Sequence, residues 1–200
     1  MTAPLPPMPW RMRGAMRLGV LPLARPLFPP PPLTPVLAYR LVITAVRYFE
    51  GDVRYDVLFL ATLVRHRCRV GMYLHHVWSD NPQIRAAGPD LWGLNPEPAQ
   101  FAWSDTQVQL IMDHGDSAVL TTSSRRAPSL TAVGAMPCFT LTDKGPAYGF
   151  IPILGRATPR NLTVTAWPAH FPELAHTHTS CALDLSRFRI TIPRPHSIAW

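Results

Sequence analysis

The chain holds a single lysine, Lys144, and eight histidines, so the side chains able to do covalent or acid–base chemistry are few. Lys144 sits in Thr-Asp-Lys-Gly-Pro, whose Asp, Gly and Pro favour a surface turn. An exposed lysine keeps a pKa of roughly 10 and is almost wholly protonated near neutral pH, which makes it a poor nucleophile. His176-Thr-His178 would place two imidazoles on one face of an extended segment. With His170, Glu173 or Cys181 a zinc-type ligand set can be sketched there, although the spacing matches no recognised binding pattern. His75-His76 on a strand would point to opposite faces, so at most one can reach a barrel interior and act as acid or base. A nucleophile-elbow serine motif and a phosphate-binding glycine loop are both absent. From these residues no catalytic group is assigned, and no metal or cofactor is expected.

The stretch Gly88-Pro-Asp-Leu-Trp-Gly-Leu-Asn-Pro-Glu-Pro-Ala-Gln-Phe101 is more specific. Pro96 and Pro98 fix their own φ and hold the residues before them extended, so Asn95 and Glu97 project in set directions. The stretch resembles the signature segment of the acetoacetate decarboxylase family, roughly G-R-E-x-W-G-x-P-K-E-x-A-x-F. Gly88, Trp92, Gly93, Glu97, Ala99 and Phe101 fall in register with it. Further similarity covers Pro9-Trp10 to Gly14, the paired runs of residues 36–64, Arg69-Val-Gly-Met-Tyr-Leu, Val77-Trp-Ser-Asp80, and the final run of residues 183–193.

That resemblance implies a β-rich barrel. In the classical members a lysine of lowered pKa attacks a β-keto acid, and the resulting imine accepts the electrons left when carbon dioxide departs. Here the lysine position is Pro96, which has no amine. The acid of the family's Y-x-E segment falls on Val57, its tyrosine being kept as Tyr55. The earlier acidic position falls near Val42 and the N-terminal arginine near Ala15. The resemblance therefore implies the fold while removing the chemistry.

Bulk properties agree with a folded domain. A 200-residue chain that is 47% hydrophobic can bury a full core as one domain, expected to span residues 1–200 with a Pro-rich arm at residues 1–9. The net charge of +7 comes almost wholly from dispersed arginines, including Arg65–Arg69 and Arg125-Arg126. Without a long basic run, specific nucleic-acid binding is not expected. Cys68, Cys138 and Cys181 are odd in number and widely spaced, which suits a reducing, cytoplasmic setting. No apolar run approaches the ~20 residues of a spanning helix, so no membrane partner is expected.

The elements that must position these residues read as strands. Residues 36–48 and 55–64 are β-branched and apolar runs joined by Phe49-Glu50-Gly51-Asp52, and the second is apolar enough to be buried on both faces. Residues 70–78 continue an antiparallel meander. Asp80-Asn81-Pro82 can start a short helix that Gly88 would stop. Hairpins are expected around Asp113-His114-Gly115-Asp116 and Asp143-Lys144-Gly145-Pro146, with late strands over residues 160–167 and 183–192. The total is about nine or ten strands with few short helices: a mainly β, antiparallel, closed or nearly closed barrel of the acetoacetate decarboxylase-like type.

The expected function follows. It is a barrel pocket for a small organic molecule, keto-acid-like or apolar, contacted by Tyr55, His76, Trp92, Asn95 and Glu97, without imine-forming decarboxylation. The alternative is an active lyase working through Lys144 or a histidine-bound metal. Exposed sheet edges make homo-oligomerisation natural.

Overall fold

The computed structural model describes residues 5–124, 128–142 and 145–197. Twelve strands and one helix follow in chain order: β1 (Trp10–Pro22), β2 (Thr34–Pro35), β3 (Arg40–Gly51), β4 (Tyr55–His66), β5 (Arg69–Ser79), α1 (Pro82–Trp92), β6 (Glu97–Trp103), β7 (Gln107–Met112), β8 (Ser117–Ser124), β9 (Leu130–Thr142), β10 (Gly145–Ala166), β11 (His178–Ile192) and β12 (His196–Ser197). The mainly β expectation holds. No described helix is long and apolar enough to cross a membrane.

One sheet runs β4-β3-β1-β11-β10-β8-β7-β6-β5, and antiparallel pairing of β5 with β4 closes the ring. Strand β9 makes a second, shorter closure by pairing with both β10 and β5. Most pairings are antiparallel, but β5 runs parallel to both β6 and β9. The β5–β6 contact is parallel because α1 and the segment after it return the chain to the edge of β5 in the same direction.

The double closure gives β3 and β4 a hydrophobic layer on each face. Successive side chains of a strand alternate between faces. In β4, Val57, Phe59 and Ala61 therefore join one core, while Leu58 and Leu60 join the other. In β3, Val46 and Tyr48 face the first core, and Leu41, Ile43 and Ala45 the second. The almost unbroken apolar run of β4 has this cause.

The expected late strand over residues 160–167 is instead the far half of β10, a 22-residue strand. Its near half pairs with β9 and its far half with β8, so one long strand serves both closures. The residues ahead of β1 are tied down where described: Trp10 Nε1 donates to the Pro6 carbonyl at 2.8 Å, and Leu5 and Met8 pack on the first core.

The helix starts as expected and ends later. Asn81 Oδ1 accepts from the N–H groups of Gln83 and Ile84, an N-cap followed by Pro82 in the first turn. Gly88 does not stop the helix. It is buried inside it, where an added Cβ would come within 2.7 Å of both the Leu94 carbonyl oxygen and Pro96. The stop is Gly93, whose φ of 61° is left-handed, and the N–H groups of Gly93 and Leu94 return to the carbonyls of Pro89 and Gly88. The start of α1 is anchored by a polar relay: Arg47 forks onto Asp56 at 3.0 and 2.9 Å, and the Asp56 N–H donates to Asp80 at 2.8 Å.

Since Asn81 also donates through Nδ2 to the Arg54 carbonyl, its loss uncaps α1 and frees the β3–β4 turn together. Asn81→Ala is expected to lower unfolding free energy by about 1 kcal/mol, and Asn81→Asp, which keeps the cap but loses the donor to Arg54, by part of that, as read from denaturant midpoints at unchanged m-value.

Candidate functional site

The face of β4 that carries Tyr55, Val57 and Phe59 looks into a cavity of about 110 Å³. Helix α1 covers it through Ile84, Gly88, Leu91 and Trp92, and the segment after the helix adds Leu94 and Pro96. Trp10, Tyr48, Leu74, Val77, Met136, Cys138, Ile151 and Ile192 complete the wall. No residue in this lining is charged. Pro96 thus stands in the wall where the sequence resemblance puts a lysine, and Val57 stands in it where the resemblance puts an acid. Val42 and Ala15 do not line it.

Its titratable groups are two phenols and a thiol. Tyr48 and Tyr55 face each other across the β3–β4 pair, with ring centroids 4.7 Å apart and their hydroxyls coupled. Burial raises both phenols above their ordinary value, and each partner's proximity adds to or offsets this. Burial alone pushes the Cys138 thiol up to about 12, and its Sγ is 3.7 Å from the Met136 carbonyl. All three stay neutral at physiological pH. The cavity can therefore offer weak, uncharged hydrogen bonds and a tight apolar fit, with no ion to pair a carboxylate.

The predicted ligand-contacting residues divide between two places. Tyr55 and Trp92 line the cavity. His76, Asn95 and Glu97 line a separate cleft of about 180 Å³, shared with Tyr73, His75, Gly93 and Leu141. The reason lies in the extended segment after α1. Leu94 and Pro96 turn inward, so by alternation Asn95 and Glu97 turn away. Leu74, Val77 and Leu94 lie between the two spaces and contribute to both.

His75 and His76 do not point to opposite faces, contrary to the expectation from alternation. The β4–β5 register shifts between Leu60, opposite His76, and Ala61, opposite Leu74, leaving His75 as an extra residue. Such a bulge re-aims side chains, and both imidazoles enter the cleft. His75 Nε2 lies 2.9 Å from Thr62 Oγ1, and its ring stands edge-on to Tyr73 at 5.0 Å. His76 stacks on Trp78 at 5.7 Å, while Trp78 Nε1 donates to Glu97 at 3.3 Å. Burial, helped by His76, lowers His75 to about 4. Burial also lowers His76, against the pull of Glu97 and with a further push from His170.

Sequence reasoning missed Tyr48, Leu74, Met136 and Cys138 as cavity residues. Tyr48 was recoverable from its pairing with Tyr55 across a tight turn; the others depend on distant strands meeting. Lys144 and Arg125-Arg126 lie outside the described residues. His178 Nδ1 lies 3.2 Å from Thr163 Oγ1, and among the described residues the His176–His178 pair joins no cluster of metal-ligating geometry.

No family model matches the sequence, and no curated protein matches it either. Solved structures do. An acetoacetate decarboxylase from Legionella pneumophila superposes with a TM-score of 0.73 at 14% identity, covering 97% of this chain and 88% of that one. The fold is that of the acetoacetate decarboxylase-like structures. An acetoacetate decarboxylase-like enzyme from Sphingomonas wittichii RW1 has a TM-score of 0.59 at 14% identity, covering 97% and 94%. The enduracididine biosynthesis enzyme MppR, complexed with pyruvate, has 0.60 at 12%, covering 96% and 91%. The acetoacetate decarboxylase-like fold thus extends over nearly the whole chain, on a sequence whose cavity wall holds Pro96 and Val57.

The cleft carries a pH dependence. A histidine whose folded pKa of about 4 lies below its unfolded value of roughly 6.5 stays neutral in the fold while the unfolded chain takes up a proton. Its contribution to stability is therefore full above about pH 6.5 and lost as pH falls toward 4. Denaturant midpoints are expected to drop across this window, and His75→Gln, which keeps a partner for Thr62, is expected to flatten the drop.

Proposed function

We propose that this protein binds a small, neutral, largely apolar molecule in the cavity beneath α1, and that it does not decarboxylate keto acids through an imine. The observation that carries the reading is the uncharged lining of that cavity, with Pro96 and Val57 in its wall. Burying an unpaired carboxylate costs several kcal/mol even after relaxation, more than the few hydrogen bonds that Tyr48 and Tyr55 offer could return. A keto acid such as the pyruvate bound by MppR is therefore disfavoured here, whereas an uncharged molecule gains by transfer from water. The volume also limits the guest. An apolar cavity of about 150 Å³ accommodates benzene, so about 110 Å³ suits a guest of benzene's size or slightly smaller.

Within this reading Tyr55 and Trp92 contact the guest, and Tyr48 joins them. His76, Asn95 and Glu97 border the neighbouring cleft and influence the guest only through the shared wall of Leu74, Val77 and Leu94. The competing reading, a lyase acting through Lys144, predicts covalent trapping of a keto acid.

Two measurements decide between them. Benzene near saturation is expected to raise the melting temperature, since a ligand bound only by the folded state stabilises it by mass action. Pyruvate or acetoacetate at equal concentration is expected to leave it unchanged, and Val57→Phe, which fills the cavity, is expected to abolish the benzene response. Borohydride added with acetoacetate should leave the intact mass unaltered; a reduced adduct mapped to Lys144 would overturn the proposal.

A further inference from the structure

Three side chains from two different loops converge outside both the cavity and the cleft. His114 and Asp116 flank Gly115 in the turn between β7 and β8, and His170 belongs to the connection from β10 to β11. His114 Nε2 and His170 Nδ1 lie 3.2 and 3.4 Å from the same carboxylate oxygen, Asp116 Oδ2. All three potential ligand atoms fall within 4.8 Å of one another. Ligands held about 2.0–2.1 Å from a tetrahedral zinc ion stand roughly 3.3 Å apart, and the two imidazole–carboxylate spacings of 3.2 and 3.4 Å match such an edge.

The supports are firmer than exposed loops usually provide. Gly115 takes a φ of 91°, and the turn is closed by Gly115 N–H to the Met112 carbonyl and Met112 N–H to the Asp116 carbonyl, both at 2.9 Å. The His170 ring stands edge-on to Phe171 at 4.8 Å. Phe171 is itself buried against Trp78 at 4.7 Å and Trp167 at 4.9 Å. An aromatic anchor in the second core therefore presents this imidazole toward the hairpin turn. Among the described residues, no other group of His, Cys, Asp and Glu reaches this geometry.

We infer that His114, Asp116 and His170 form a surface site for a divalent transition metal of the zinc class. Two imidazoles and a carboxylate suit Zn²⁺, Co²⁺ or Ni²⁺ better than Ca²⁺ or Mg²⁺, which prefer sets made wholly of oxygen. Three protein ligands leave a position for water or an exchangeable anion. The bound ion would also cross-link the β7–β8 turn to the β10–β11 connection, two segments far apart in sequence. The site shares no residue with the apolar cavity and stands apart from the ligand proposed there.

Isothermal titration of the chelator-stripped full chain with Zn²⁺ tests the assignment. One equivalent is expected to bind, and Asp116→Asn, His114→Ala and His170→Ala should each weaken it by more than the about 10–100-fold typical of losing a mere supporting group. Co²⁺ should give visible ligand-field absorption that the same variants lose. All three residues are exposed, so the variants should keep the wild-type circular dichroism spectrum. A variant combining His176→Ala, His178→Ala, Cys68→Ser and Cys181→Ser should retain both signals. Absence of stoichiometric Zn²⁺ binding overturns the site, as does binding that survives the three ligand variants.

Discussion

The coverage of β3 and β4 on both faces constrains the rest of the molecule. A period of two links the cavity to the second core residue by residue: Val57 and Phe59 face the cavity because Leu58 and Leu60 fill the opposite layer. A slip of one residue would exchange the two sets. It would bring Asp56 and its Arg47 partner onto the cavity face, whose lining holds no charged group. The register is therefore fixed from two directions, more strongly than in a sheet with one face in water. The tyrosines opposite each other at the β3–β4 turn inherit their cavity position from it.

The Gly88–Phe101 stretch makes sense as a corner. Gly88 lets the chain after the helix fold back within contact of it, Gly93 supplies the left-handed stop, and Trp92 and Pro96 close the cavity from the same side. These tasks concern backbone shape and packing, and none requires an amine at position 96. A proline there adds rigidity and apolar surface to the wall, so the corner's geometry does not depend on a charged side chain. The likeness of the stretch to an active-site signature and the uncharged cavity are compatible for this reason.

Much of the fold was legible in the sequence because its signals are local. The unbroken apolar run of β4 reported burial on both faces, Asn81-Pro82 marked a helix start, and Asp113–Asp116 marked a hairpin. What was not legible depends on contacts between distant segments. Gly88 read as a helix stop because glycine alone does not say whether it serves a turn or a close approach. Residues 145–166 read as two strands because a strand that changes partners midway keeps no sequence mark of its continuity. The site was half legible: Tyr55 and Trp92 share a wall, but the turn of Asn95 and Glu97 away from it follows from which neighbours, Leu94 and Pro96, have apolar space to fill. His75 was misjudged because a bulge is a property of pairing, invisible until β4 and β5 are laid side by side.

The separation of polar and apolar groups across one layer of side chains bears on selectivity. On the inner side, every titratable group is pushed toward its neutral form by burial: Tyr48, Tyr55 and Cys138 all hold their protons more tightly than in water. On the outer side, His75 and His76 are pushed toward neutrality as well, but from the opposite charge, so they change state only under acid conditions. Near neutral pH these groups thus add no net charge to either space. A guest in the cavity would be chosen by shape and by at most one or two hydrogen bonds to phenols, since a low-dielectric wall amplifies the cost of any charge brought with it. Imine chemistry in this cavity would take more than an amine at position 96. An amine there would need its conjugate acid destabilised, which burial supplies. The substrate carboxylate would still need a cation, and no residue lining the cavity is one.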